Sequence, residues 1–300
     1  MTENHHNKPK IGCIGLGFMG RPIARHLIHA GYDVYLYARR PDVFDGECKD
    51  LIDAGGHIAS SPAELAAHVD MVLTNVMAGP DVRQVVLEQD DAIINGARAG
   101  LMIIDHSTID PATAIDLNKQ LKRSAIDFID APLSGGSIGA EAGTLAIMMG
   151  GDADAVEKCT PVLSHYSRTC LHMGGAGTGQ ITKLCNQIAQ VITIQGVAEA
   201  MQFAAAYGAD QKAVMDVMAS GFASSRMLEL MAPKMIDDDF TPLMKSQLLH
   251  KDAGIAQGAA QDKNLDMPAL DLVAEKLNFL QEQGWQEKDV SILIKALWKK

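Results

Sequence analysis

The stretch GLGFMG, residues 15–20, constrains the fold more than any other part of the chain. Gly15, Gly17 and Gly20 form GxGxxG between the buried-strand pattern KIGCI and the helical pattern FMGRPIARHLIHAG, which stops at Gly31. The first glycine permits a tight turn. The second lets the backbone approach a pyrophosphate, and the third allows close packing of helix on strand. The helix N-terminus then faces the anion. Gly15, Leu16, Gly17, Phe18, Met19 and Gly20 are therefore the first candidates for dinucleotide binding. The motif alone is weak, but its place at the start of a βαβ pattern makes it specific.

The rest of the N-terminal half keeps that pattern. Strand-like runs at 32–42, 70–76, 101–108 and 126–132 alternate with helix-like PAELAAHV, DVRQVVLE and PATAIDLNKQLKRS. Such alternation predicts a doubly wound, mainly parallel sheet. TLAIMMGG and TCLHMG are expected as late additions to it. After GGAGTG the texture changes. One long helix is predicted from about Gln180 to Tyr207, followed by helices broken near Gly221, Pro233, Pro242 and Pro268. The expected domains are 1–175 and 176–300.

Composition narrows the partners. With a net charge of -11 and no Lys/Arg cluster, the chain lacks the footprint of a nucleic-acid-binding protein. No apolar run reaches a membrane span, and the first nine residues lack the apolar core of a signal peptide. Five scattered cysteines without CxxC spacing indicate neither a zinc site nor a disulfide framework. His5 and His6 read as part of a polar tail, and no metal is expected. A cytoplasmic setting is expected, and the apolar helical half suggests a homodimer or homotetramer.

Three further stretches carry chemistry. An NAD-binding chain is expected to hold an acid about 20 residues after the glycine loop, to bind the ribose 2′-hydroxyl. Here YARR places Ala38 at that point, with Arg39 and Arg40 after it, a pair suited to a 2′-phosphate. NADP is therefore the expected cofactor, with NAD the alternative. DAPLSGG (130–136) follows a strand that ends at the ligand-binding edge of the sheet, where Ser134, Gly135 and Gly136 offer a hydroxyl and bare backbone. In GTGQITKLCNQ (177–187), Lys183 sits in apolar surroundings one helical turn from Asn186 and Gln187. A cation beside two amides reads either as a solvated stripe or as a proton donor with its positioning groups.

With IGLGFMGRP (14–22), DAPLSGGSIGAEAGTLAIMMGGD (130–152), GTGQITKLCNQ and HKD (250–252), the sequence resembles the β-hydroxyacid dehydrogenase family over nearly its whole length. The resemblance implies an α/β N-terminal Rossmann domain and an all-α C-terminal domain joined by the long helix, with the active site in the cleft between them. It implies that Lys183 is catalytic, and that Ser134, Gly135 and Gly136 hold a substrate carboxylate. Asn186 and Gln187 would hold the substrate's oxygens. Val76, Met77, Thr108 and Lys251 would lie against the cofactor. Family members often carry Asn four residues after the lysine, whereas this chain has Asn at +3 and Gln at +4.

Within the family, the NQ pair and GFASSRMLE (221–229) look most like tartronate semialdehyde reductases, which reduce 2-hydroxy-3-oxopropionate to glycerate. The implied activity is NAD(P)H-dependent reduction of a small carboxylate-bearing aldehyde. A 3-hydroxyisobutyrate dehydrogenase, or a succinic semialdehyde or glyoxylate reductase, is the alternative. A nucleotide-binding redox sensor is the non-enzymatic alternative, but it would have no need to keep Lys183, Ser134 and Lys251 together. Imine-reducing relatives generally replace the lysine. A 6-phosphogluconate dehydrogenase would need a larger helical domain.

Overall fold

The computed structural model describes residues 8–297, so His5 and His6 lie outside the described residues. The chain forms two compact units, one ending at Lys183 and the other beginning at Leu184. In the first unit the strands are β1 Ile11–Ile14, β2 Val34–Tyr37, β3 His57–Ile58, β4 Met71–Thr74, β5 Met102–Asp105, β6 Asp127–Asp130, β7 Leu133–Ser134, β8 Leu145–Gly150 and β9 Ser167–Gly174. Its helices are α1 Gly20–His29, α2 Lys49–Asp53, α3 Pro62–His68, α4 Gly79–Arg83, α5 Ile93–Gly96, α6 Pro111–Lys122, α7 Gly136–Glu141 and α8 Ala153–Leu163. A longer helix, α9 Thr178–Ala206, starts in this unit and continues into the second.

The sheet runs β3-β2-β1-β4-β5-β6-β8-β7, with β9 beside β8. Its first six strands are parallel and follow the Rossmann order. β8 runs antiparallel to β6 and β7. Both faces are covered, as parallel sheets require. Alternate residues of β5 serve opposite cores. Met102 and Ile104 pack with Ile23 and Leu27 of α1, while Ile103 packs with Leu65 of α3 and Leu117 of α6. Cys13 and Cys159 lie in the first of these cores, where burial pushes each thiol up to about 12 and keeps it protonated.

The helix starts follow local rules. Pro111 opens α6 behind Asp110, whose carboxylate accepts the Thr113 N–H at 2.8 Å. Ser61 caps α3 in the same way through the Glu64 N–H at 3.0 Å. DVRQVVLE departs from a plain α-helix, because α4 stops at Arg83 and the chain widens into a π-type turn over 84–88.

The second unit is helical, with α10 Gln211–Ser220, α11 Arg226–Ile236, α12 Ser246–Gln261 and α13 Pro268–Glu282. Its core takes Val191, Ile194, Val197 and Met201 from α9, Leu228 and Met231 from α11, and Leu277 and Leu280 from α13. Pro268 starts α13 and Pro242 stands between helices, as expected. Pro233 does not break its helix but lies inside α11. Burial of Leu228, Met231, Ala232 and Met235 holds α11 together on both sides of the proline. Asp289 is buried and accepts the N–H groups of Leu243 and Met244 at 2.7 and 2.8 Å, which ties the last turns to the α11–α12 connection.

Ile104 is fully buried at the centre of the sheet. Ile104→Ala should lower the unfolding free energy by about 2–5 kcal/mol, as cavity-forming substitutions do. Urea unfolding followed by far-UV circular dichroism checks this through a lower midpoint at unchanged slope.

Candidate active site

The strand ends and the turns after them build the site in the first unit. Gly15 sits at φ +91°, and a Cβ there would lie 2.1 Å from the Asn75 carbonyl oxygen. Only glycine fits, because the backbone is left-handed here and runs directly against the Asn75 backbone at the end of β4. Gly20 is equally constrained, with its would-be Cβ 2.0 Å from the Gly15 carbonyl oxygen. At Gly17 a Cβ would meet nothing within 4 Å. The loop is thus tight on its protein side and bare on its outer side, at the N-terminus of α1. That is the form a pyrophosphate needs.

The flanking candidates divide by burial. Leu16 and Met19 pack onto the core, whereas Phe18 is 75% exposed. Met77 is 57% exposed beyond β4, and the Val76 N–H donates to Ser107 Oγ at 2.9 Å. Arg39 and Arg40 are exposed at the end of β2. Arg40 makes only loose pairs with Asp42 and Glu47 at 3.8 and 3.9 Å, which solvent screens.

The catalytic candidate is held differently. Lys183 is 8% exposed, and its Nζ donates to the Leu133 carbonyl at 2.8 Å. Leu133 immediately precedes Ser134. Gly135 follows at φ +130°, and Gly136, at φ +60°, is the first residue of α7. The lysine therefore sits beside the Ser-Gly-Gly turn, although about 50 residues separate them in sequence.

Asp130 accounts for that meeting. It ends β6, is fully buried, and accepts the N–H groups of Gly177 at 2.7 Å and Gln180 at 2.9 Å. These are donors that a helix start leaves unpaired, so the carboxylate pins the beginning of α9 to the sheet edge. Burial pushes the Asp130 carboxyl up to about 7, and the two backbone donors oppose the rise. A second buried pair steadies the neighbouring turn. His106 contacts the Ala131 carbonyl through Nδ1 at 2.6 Å and the Tyr166 hydroxyl through Nε2 at 2.9 Å. The carbonyl requires a proton on Nδ1, so the tyrosine hydroxyl donates to Nε2. Burial lowers the His106 pKa to about 4, which keeps this neutral form.

In the second unit the two amides play unequal parts. Gln187 is buried. Its Oε1 accepts from Asn186 Nδ2 at 2.9 Å, and its Nε2 donates to Asp252 Oδ2 at 2.6 Å. Lys251 pairs with the other oxygen of Asp252 at 2.9 Å. Asn186 is exposed. Both amide ends of Gln187 are thus engaged inside the protein. Sequence reasoning placed no role on Asp130, Gln180, His106 or Asp252. A signal did exist for Asp130, since an acid closing the apolar strand IDFID is seldom buried without partners.

Residues 10–175 match the model of the NAD binding domain of 6-phosphogluconate dehydrogenase. Residues 177–297 match the model described as NAD-binding of NADP-dependent 3-hydroxyisobutyrate dehydrogenase. The chain belongs to the β-hydroxyacid dehydrogenase family. It is 34% identical to the 2-hydroxy-3-oxopropionate reductase of Escherichia coli K12, over 96% of this chain and 97% of that protein. It is 32% identical to the NAD-dependent L-serine dehydrogenase of Pseudomonas aeruginosa, over 95% and 97%. The structure of Mycobacterium tuberculosis 3-hydroxyisobutyrate dehydrogenase with L-serine superposes with a TM-score of 0.87 at 28% identity, covering 97% of this chain and 99% of that one. This β-hydroxyacid dehydrogenase is therefore an NAD(P)-dependent oxidoreductase acting on the CH–OH group of a small hydroxy acid. Among the described residues, no helix is long and apolar enough to cross a membrane.

The Asp130 carboxyl yields a pH prediction. Its pKa is raised on folding, so the folded chain holds a proton that the unfolded chain releases near the ordinary carboxylate value of 3.8. This contribution to stability is fully present below pH 3.8 and is lost as pH rises through about 7. Denaturant unfolding between pH 5 and 8 should show wild type losing stability with rising pH relative to Asp130→Asn. A constant difference between the two proteins would contradict the shift.

Proposed function

We propose that this enzyme reduces 2-hydroxy-3-oxopropionate to glycerate, with NADPH preferred over NADH. The observation that carries the reading is the buried Lys183 Nζ, held 2.8 Å from the carbonyl next to Ser134. Ser134 Oγ and the backbone at Gly135 and Gly136 bind the substrate carboxylate, because charge-assisted bonds orient a small acid better than neutral ones. When bound at the Gly15–Gly20 loop, the nicotinamide cofactor supplies the hydride. As the aldehyde carbon is reduced, negative charge grows on its oxygen. Lys183 stabilises that charge and donates a proton to it from Nζ. In the reverse direction the neutral amine takes the hydroxyl proton.

Asn186 shares a helix face with Lys183, at i+3, and is the amide we assign to the substrate's oxygens. Gln187, bonded at both ends, holds Asn186 in place. An exposed amide suits a substrate carrying a hydroxyl, which favours the hydroxylated semialdehyde over methylmalonate semialdehyde. We keep Thr108, Val76, Met77 and Lys251 as cofactor contacts. Ala38 in place of an acid, followed by Arg39 and Arg40, supports the choice of NADPH. The two guanidinium groups are assigned to its 2′-phosphate.

A turnover screen tests the reading. Purified enzyme is offered 2-hydroxy-3-oxopropionate, methylmalonate semialdehyde, succinic semialdehyde and glyoxylate with each of NADH and NADPH. The first acid with NADPH should give the highest kcat/KM. A higher value for methylmalonate semialdehyde would overturn the substrate assignment.

Lys183→Ala should lose on the order of 10² to 10⁴ in kcat, the scale of general acid catalysis, with NADPH affinity retained. Arg39→Ala should raise KM for NADPH more than KM for NADH. Equal effects would remove the arginine from the 2′-phosphate site.

A further inference from the structure

Gln180 lies three residues before Lys183 on α9, so the two share a helix face. It is fully buried, and each of its polar groups is engaged. Its backbone N–H donates to Asp130 Oδ2 at 2.9 Å. Its side-chain Oε1 accepts the Ile109 N–H at 3.1 Å, and Nε2 donates to the Ser107 carbonyl at 2.8 Å. The amide therefore grips the backbone on both sides of Thr108. Ser107 extends the chain of bonds, because its Oγ accepts the Val76 N–H at 2.9 Å and its own N–H meets Asp105 Oδ1 at 3.1 Å.

Helix capping does not explain this side chain. Asp130 already serves the first N–H groups of α9, and the Gln180 amide points away from them, to another loop. A buried amide is costly unless both ends are paired. Here the pairing demands one acceptor and one donor, aimed at an N–H and a C=O two residues apart. A carboxylate of the same size lacks the donor, and a thioether lacks the donor and offers only a weak acceptor.

We propose that Gln180 is a positioning residue for the reduction. It ties the cofactor-side turns at Val76 and Ser107–Ile109 to the helix turn that carries Lys183, and so keeps the lysine in register with the cofactor. The role rests on the reading of Lys183 as proton donor. The bonds run from one end of the register to the other, through Val76 N–H, Ser107, Gln180, one turn of α9, Lys183 and the Leu133 carbonyl. Replacing the Gln180 side chain leaves the bonds from Asp130 to the start of α9 and from Lys183 to Leu133 in place, but it removes the tie between α9 and the cofactor-side turn at Ser107–Ile109. Misplacement by about 1 Å of groups that meet in a transition state costs on the order of 100-fold in rate.

The test compares wild type with Gln180→Glu and Gln180→Met, alongside Leu117→Ala as a destabilised control whose cavity lies in the core between the sheet and α6. Steady-state kinetics are run with NADPH and its 4-deuterated form. Both Gln180 variants should lose about 10- to 100-fold in kcat while KM for aldehyde and for NADPH changes by less than about three-fold. The deuterium isotope effect on kcat should rise in both, and the Leu117→Ala control should show no such rise. A fall in Tm with kcat and isotope effect unchanged would reduce Gln180 to a structural residue and overturn the proposal. If wild type reduces none of the offered aldehydes, the functional reading fails separately. Gln180 is then judged by the pH dependence of Lys183 acetylation at saturating NADPH, read by peptide mass spectrometry. A midpoint displaced in Gln180→Met supports the tie, and an unchanged midpoint overturns it.

Discussion

The Asp130 carboxylate at the start of α9 is the interaction on which the rest of the site depends. A Rossmann sheet provides strand ends and glycine turns, but it has no means of its own to bring in a lysine from a helix some 50 residues later. The acid at the end of β6 provides that means by accepting the N–H groups of Gly177 and Gln180. Once those two donors are fixed, helical geometry fixes Lys183, because residues three apart share a face. The lysine then meets the Leu133 carbonyl. The same attachment explains why the first compact unit runs through Lys183, beyond the glycine-rich GGAGTG segment.

Burying a carboxylate in this way is expensive, and the structure offsets the cost with two backbone donors at a helix N-terminus. His106 and Tyr166 follow the same logic in neutral form. Their bond and the one to the Ala131 carbonyl satisfy every polar atom of a buried imidazole, and its lowered pKa keeps it from charging. Two successive residues after β5, His106 and Ser107, thus bond to the β6 turn, the β4 turn and α9. Sites built on such doubly satisfied networks are rigid, because removing one partner leaves another buried and unpaired.

Much of this was legible in the sequence. The glycine spacing foretold the loop, since each glycine has a steric reason at its own position: Gly15 and Gly20 have no room for a side chain, and Gly17 has open space. The long helix, the late strands and the Lys183 neighbourhood were also visible as patterns of apolar spacing. Other features were not, because they depend on partners remote in sequence. Pro233 looked like a breaker, yet tertiary burial on both sides keeps α11 whole. The division of labour between Asn186 and Gln187 turns on Asp252, 65 residues from Gln187. Gln180 stood inside a recognised motif without a role, for its partners lie beyond β5.

The central claim is that the helix start is locked to the sheet before any ligand arrives. Native-state hydrogen exchange on the ligand-free protein measures this at single amides. The account predicts that the N–H groups of Gly177 and Gln180 exchange only through global unfolding, with protection close to that of β5. Exchange of these two amides through a low-energy local opening, with β5 still protected, would contradict it.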